Sequence, residues 1–424
     1  MRFIKYITIA ILCTFGVQRI YAQDSTTKKE DVKKEKTTLN LQEFLSKMSK
    51  NNLEYAAEKL NINISEAELK VAKLFPDPSL SVDYTDNKEN GNYVGHALTY
   101  ELSTTLELFG KRRARISIAK DQKALADAVL RDYYRNLKAD ASISFFEALK
   151  QGQLYLVATD SYKTMQKLSK ADSIQHSLGN IAKIDALQSQ LETGVLYNDL
   201  LQAQVDYENS NRQLSLLSGN SDLNISPLGK LEKTCKIFDV RELTKHALNN
   251  RADLEAARQS SSVSKNELKL ARREQLFDVD VKVSLEDSYA KEISSPTAKA
   301  LTAGITIPLQ FSNFNRGKIK LAKYKLEQAE YQYKQAELNI KIEVKKVFAQ
   351  YNISCKKVGQ YETGLLNNAK QVLDGKIYSY KRGETSLLEV LNAQRTYNDV
   401  RTSYFETLYN NAVAFIELER TVGM

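Results

Sequence analysis

Apolar residues fall on every second position from Leu301 to Leu309 (Leu301, Ala303, Ile305, Ile307, Leu309), with Thr302, Gly304, Thr306 and Pro308 between them. That alternation predicts a half-buried strand. Beyond a turn at Ser312–Asn315 the period lengthens. Ile319, Ala322, Leu326, Ala329, Tyr333, Ala336, Ile340, Val344 and Phe348 recur three or four positions apart, which predicts a helix with a coiled-coil-like seam. The same join occurs at Leu98–Ile116, where alternating residues give way to a helix after Gly110. Ile116, Ala119, Ala126, Leu130, Tyr133, Leu137, Ala141 and Phe145 each lie 203 positions before a residue of the second helical pattern. The chain therefore predicts as a duplication.

The remaining elements follow in pairs. A helical pattern from Leu39 to Leu74 has its counterpart at Phe238–Arg273, 199 positions on. Each copy then has two antiparallel strands, about 79–108 and 278–310, turned back by loops at Asp86–Asn92 and Tyr289–Pro296. One long helix per copy follows, about 110–178 and 315–381. At 1.5 Å per residue such a helix could approach about 100 Å. Glycine-containing tips at Ser177–Asp185 and Tyr380–Glu389 reverse the chain into a return helix. Repeat 1 is thus 39–219, repeat 2 is 238–424, and 220–237 is a linker marked by Pro227 and Gly229. The expected fold class is mainly α with a membrane β-barrel part, four strands per chain.

Four amphipathic strands cannot bury themselves, and the helices are far longer than the strands they would cover. A membrane accepts strands only as a closed barrel, because an open edge leaves N–H and C=O groups unpaired in hydrocarbon. Closed membrane barrels start at about eight strands, so several chains must share one. The alternation assigns Leu80, Val82, Leu102, Val281, Val283, Ile305 and Ile307 to lipid, and Ser81, Asp280, Lys282 and Thr306 to water. Alanine and tyrosine on the helical seams suit helices packed side by side round a hollow.

Composition narrows the picture further. Residues 1–22 read as a secretory signal: Arg2 and Lys5, an apolar run Ile7–Val17, and Ile20-Tyr21-Ala22 before Gln23. Cys13 goes with that segment, and residues 23–38 read as a disordered leader. The formal charge of +9 falls to about +6 without Arg2, Lys5 and Arg19, and is spread over mixed-sign helices, so no nucleic-acid partner is expected. Cys235 and Cys355 read as buried free thiols. His96, His176 and His246 are scattered, no CxxC or phosphate loop occurs, and no metal site, cofactor or catalysis is expected.

The motifs in order are Leu74-Phe75-Pro76-Asp77-Pro78-Ser79-Leu80-Ser81, Glu107-Leu108-Phe109-Gly110-Lys111-Arg112, Ile307-Pro308-Leu309 with Asn315-Arg316-Gly317, and Tyr380-x-x-Gly383 with Leu388-Glu389-Val390-Leu391. This series resembles the TolC-like outer-membrane efflux family, in forms closest to its heavy-metal branch. The resemblance implies a homotrimer with a twelve-stranded barrel in outer-membrane lipid. It also implies an α-helical tunnel in the periplasm, docked on a periplasmic adaptor and an inner-membrane pump. It further implies a periplasmic gate near the helical tips, at Asp185 and Glu389, with Tyr380 tying neighbouring helices. A second acid common in the family is replaced here by Asn392. A solvated acid at a helix start explains Glu389 equally. The function expected is a passive exit duct. A channel for type I protein secretion shares the architecture, and a periplasmic coiled-coil adaptor would explain the helices alone.

Overall fold

The computed structural model describes residues 36–89, 92–220, 224–290, 297–309 and 314–424. The expected signal segment, the leader before Lys36 and parts of both strand–strand loops lie outside them. The first half runs β1 (Lys36–Leu39), α1 (Leu41–Asn51), α2 (Leu53–Ala72), β2 (Ser79–Glu89), β3 (Asn92–Leu106), α3 (Lys111–Ser177) and α4 (Lys183–Leu217). The second runs β4 (Asn224–Pro227), α5 (Val240–Asn250), α6 (Ala252–Arg273), β5 (Val279–Ala290), β6 (Thr297–Thr306) and α7 (Arg316–Gln360). A π-helical turn at Tyr361–Leu365 leads into α8 (Leu366–Lys381) and α9 (Leu387–Val422).

Four strands form one antiparallel sheet in the order β2-β3-β5-β6. The helices continue that order: α2 packs on α3, α3 on α6 and α6 on α7. Because α2 enters β2, α3 leaves β3, α6 enters β5 and α7 leaves β6, the helical layer is the sheet prolonged past a junction. Further along α3, the partners change to α4 and α9, with α8 on α9.

Backbone caps recur at matching places. Asn180 N–H donates to Gln175 O and Gly179 N–H to His176 O; 204 positions later Glu384 donates to Ser379 and Gly383 to Tyr380. Both are helix ends closed by a glycine in the left-handed region, at φ 78° and 76°. Asn52 Nδ2 donates to Leu217 O at 3.1 Å, and Arg251 Nη1 to Thr421 O at 3.1 Å. Two apolar cores sit beside these contacts. Phe44, Met48, Phe145, Leu214 and Ile225 fill the first. Leu243, Ala247, Ile340, Val344 and Tyr351 fill the second.

The structure departs from the sequence reading at four points. The helical patterns 39–74 and 238–273 are each two helices, broken at Asn52 and Arg251, whose ψ angles of 122° and 125° are extended. Asn52 stops α1 because its side chain accepts from Tyr55 N–H at 2.8 Å and so starts α2. Lys36–Thr38, placed in the disordered leader, belong to β1, which pairs in parallel with β4 of the expected linker. Leu39 and Ile225 are buried in that pair. The expected helix 315–381 bends at Gly364, whose φ of 114° no helix accommodates. Finally, Cys235 and Cys355 are not free thiols but a disulfide, their Cα atoms 5.8 Å apart.

Candidate conduit: sheet face, junction and helical tip

Cross-strand register decides which side chains share a face. Leu80, Leu102, Val283 and Ala303 stand in one row, Val82, Tyr100, Leu285 and Leu301 in the next, and Val281 opposes Ile305. Six of the seven residues expected on one apolar face are thereby brought together. Ile307 lies one residue beyond the end of β6. Leu80, Val82, Leu102, Leu301 and Ile305 are more than half exposed, so the face is apolar and uncovered within the chain. Toward the loops it ends in rings: His96 lies 5.9 Å from Tyr84 and 5.4 Å from Tyr289 between ring centroids.

The opposite face is polar and cross-linked. Thr105 donates to Asp280 at 2.5 Å, Lys282 Nζ lies 3.2 Å from Glu101, and the hydroxyls of Ser79 and Ser103 are 2.8 Å apart. These bonds join three neighbouring strands on the side assigned to water.

Three of the four sequence motifs lie at the junction of sheet and helices. Phe109 and Gly110 take left-handed backbone angles in one turn, Phe314 and Asn315 in the other, so each strand swings abruptly into its helix. Arg112 lies over the Phe75 ring at 4.0 Å and donates twice to Lys73 O. Lys111 Nζ pairs with Asp278 at 2.8 Å, and Asn315 Nδ2 donates to Ala271 O. The motifs therefore fix the angle between sheet and helices rather than supply chemistry.

This plan is shared with known proteins. Residues 243–424 match the family model described as outer membrane efflux protein. The cobalt-zinc-cadmium resistance protein CzcC of Cupriavidus metallidurans is 23% identical over 392 residues, which span 91% of this chain and 90% of that one. That family match spans the second half of the chain. The fold carries the likeness across the rest. The CmeC outer membrane channel of Campylobacter jejuni superposes with a TM-score of 0.77 over 91% of this chain and 85% of its own, at 15% identity. A structure of CusC gives 0.72 over 91% and 92%, at 17% identity. Among the described residues no helix is long and apolar enough to cross a membrane, and no three His, Cys, Asp or Glu side chains are grouped to hold a metal ion.

The residues at the helical tips fall into two groups. Glu389, in the first turn of α9, is exposed and accepts from Lys376 Nζ of α8 at 2.5 Å. That bond holds its carboxyl below the usual range. Asn392 is exposed one turn further along α9. Asp185 is half-buried in the first turn of α4, and Tyr380 is half-buried in α8. Tyr380 donates to Asp172 of α3, which sequence reasoning missed. Asp172 is only 3% exposed, and among the described residues its second oxygen accepts no hydrogen bond of good geometry. Burial pushes its carboxyl up, and Asp185 pushes the same way. The one available signal was an acid on the apolar side of a helix. Lys376 was likewise missed, since its pairing depends on where α9 returns.

Proposed function

We propose that the chain is the outer-membrane exit duct of a tripartite efflux pump. In this reading three copies close a twelve-stranded barrel, and their helices form a tunnel that meets a periplasmic adaptor and an inner-membrane pump. The observation that carries the reading is the four-stranded sheet, apolar on one face and open at both edges among the described residues, running strand by strand into a helical layer. Hydrocarbon forbids open edges, so neighbouring copies complete the wall. The matching caps and junctions 199 to 205 positions apart support an internal duplication that supplies two strands per half.

The apolar face then meets lipid and the face bearing Asp280, Lys282 and Glu101 meets water. The ring cluster of Tyr84, His96 and Tyr289 sits at the headgroup level. Transport through such a duct is passive. The likeness to a cobalt-zinc-cadmium resistance protein favours divalent metal cations as cargo. Asp185, Glu389 and Asn392 surround the periplasmic mouth, where a ring of acids would favour cations. The test is light scattering of the purified protein in detergent together with planar-bilayer recordings. Trimers and discrete conductance are expected; monomers without conductance overturn the reading.

A further inference from the structure

The two helices that flank the open edges of the sheet each carry a second apolar stripe, facing away from their own neighbours. On α2 the residues are Leu53, Leu60, Ile64, Val71 and, just past its end, Leu74, all more than half exposed. The exposed residues Ala57 and Ala67 complete the alternation of four and three positions. The inward side of α2 is a different one, where Ser65 is buried against α3. On α7 the stripe is Leu321, Tyr324, Tyr331, Leu338 and Ile342, again all more than half exposed, with Gln328 and Gln335 at the intervening positions. The inward seam of α7 contains the buried Ala322, Ala329 and Ile340. Both outer stripes keep the heptad spacing of a helix that expects a partner.

α2 runs toward the sheet and α7 runs away from it. Brought together by pairing the β2 edge of one copy with the β6 edge of the next, they would lie antiparallel. Starting from the sheet, Leu74 then opposes Leu321, Val71 opposes Tyr324, Ile64 opposes Tyr331 and Leu53 opposes Ile342. Every pair adds to 395, so one register satisfies the whole length. The residues flanking the seam agree in sign under that same register. Glu68 meets Lys325, and Lys70 meets Glu327; all four are exposed. Among the described residues Glu327 pairs with Lys323 of its own helix, at 3.8 Å.

We propose that α2 of one copy and α7 of the next form an antiparallel heptad seam in this register, framed by the Glu68–Lys325 and Lys70–Glu327 pairs. The occupant of each stripe is therefore a second copy of this chain. The contact is head-to-tail, since the two surfaces differ, and its rotation closes into a ring. The seam rests on the duct reading and adds to it the residues by which copies recognise one another.

The test is cysteine cross-linking of the full chain in outer membranes, with Cys235 and Cys355 left in their own disulfide. Ile64→Cys combined with Tyr331→Cys should give a ladder of dimers and trimers on a non-reducing gel that dithiothreitol removes. Ile64→Cys combined with Ile342→Cys, about 16 Å out of register along the helix, should give none. In the same membranes Glu68→Lys should lower the trimer fraction, and adding Lys325→Glu should restore it. Trimers by light scattering with no 64–331 ladder, or with equal ladders from both pairs, overturn the seam and leave the duct standing. An unmodified chain that is monomeric and non-conducting removes both.

Discussion

Tyr380 donates its hydroxyl hydrogen to Asp172 Oδ1 across 3.1 Å, and by doing so joins α8 to α3 just above the helical tips. Among the described residues the other oxygen of this buried carboxylate accepts no hydrogen bond of good geometry. The Tyr380 bond adds a polar tie to the apolar cluster of Met165, Leu168, Leu387, Val390 and Leu391 and the Arg395–Glu192 pair, which also join the two hairpins near their far end.

Tyr380→Phe should loosen the tip by about 1–3 kcal/mol, the usual cost of leaving a buried polar group unpaired. Hydrogen exchange should show faster opening confined to residues near 165–196 and 373–391. Asp172→Asn should have the opposite effect, since it removes a charge from a buried position. The pH dependence follows from the raised carboxyl of Asp172. Between its folded value and the ordinary 3.8 the folded tip binds more protons, so stability rises as pH falls through that window. The Asp172→Asn tip should lack this gain.

Lys376 donates to Glu389 and holds its carboxyl below the usual range; on the proposed duct reading this pair tunes the charge of the mouth. Lys376→Gln should unmask the carboxylate and raise the preference for cations in planar-bilayer reversal potentials. Glu389→Lys should reduce it. With Lys376 in place the negative charge should persist below the ordinary 4.5 and be lost only as pH falls through the lower folded value. In Lys376→Gln that loss should move up toward 4.5.

The Cys235–Cys355 disulfide pins the segment between β4 and α5 to α7, ahead of the bend at Gly364. Asn411 supports it from α9, donating to Ser354 at 3.0 Å and accepting from Thr234 N–H at 2.9 Å. Lys233 and Glu362 clasp the other side at 2.7 Å. Denatured, unreduced protein should therefore take up no thiol reagent at either cysteine. Cys355→Ser should lower stability by about 2–5 kcal/mol in denaturant unfolding.

Val283 stands between Leu102 and Ala303 on the apolar face, whereas Ser284 stands between Glu101 and Thr302 on the polar one. Val283→Arg should cost about 2–4 kcal/mol near the bilayer midplane and reduce the amount of trimer extracted from outer membranes. Ser284→Arg, beside Glu101, should assemble normally. Equal losses from these neighbouring substitutions would mean that the two faces of the sheet are not what the register makes them.

Local order was legible in the chain because it is written at short range. The alternation at Leu301–Ile307 and the glycines at 179 and 383 each act within a few residues, and strands and tips appear where those signals stand. The facing of Leu80, Val82, Val281, Val283 and Ile305 followed from the same period of two. What tertiary structure alone decided depends on residues far apart. Cys235 and Cys355 are separated by 120 positions, and only the fold of the linker over α7 brings them to bonding distance. Asn52 caps α2 locally, but that its amide also reaches Leu217 O, and that Arg251 reaches Thr421 O, is recorded by no local pattern. Asp172 is one acid among many along α3 until Tyr380 closes over it. Sequence period fixes which way a side chain points from its own element, whereas its partner is fixed by which other element packing brings alongside.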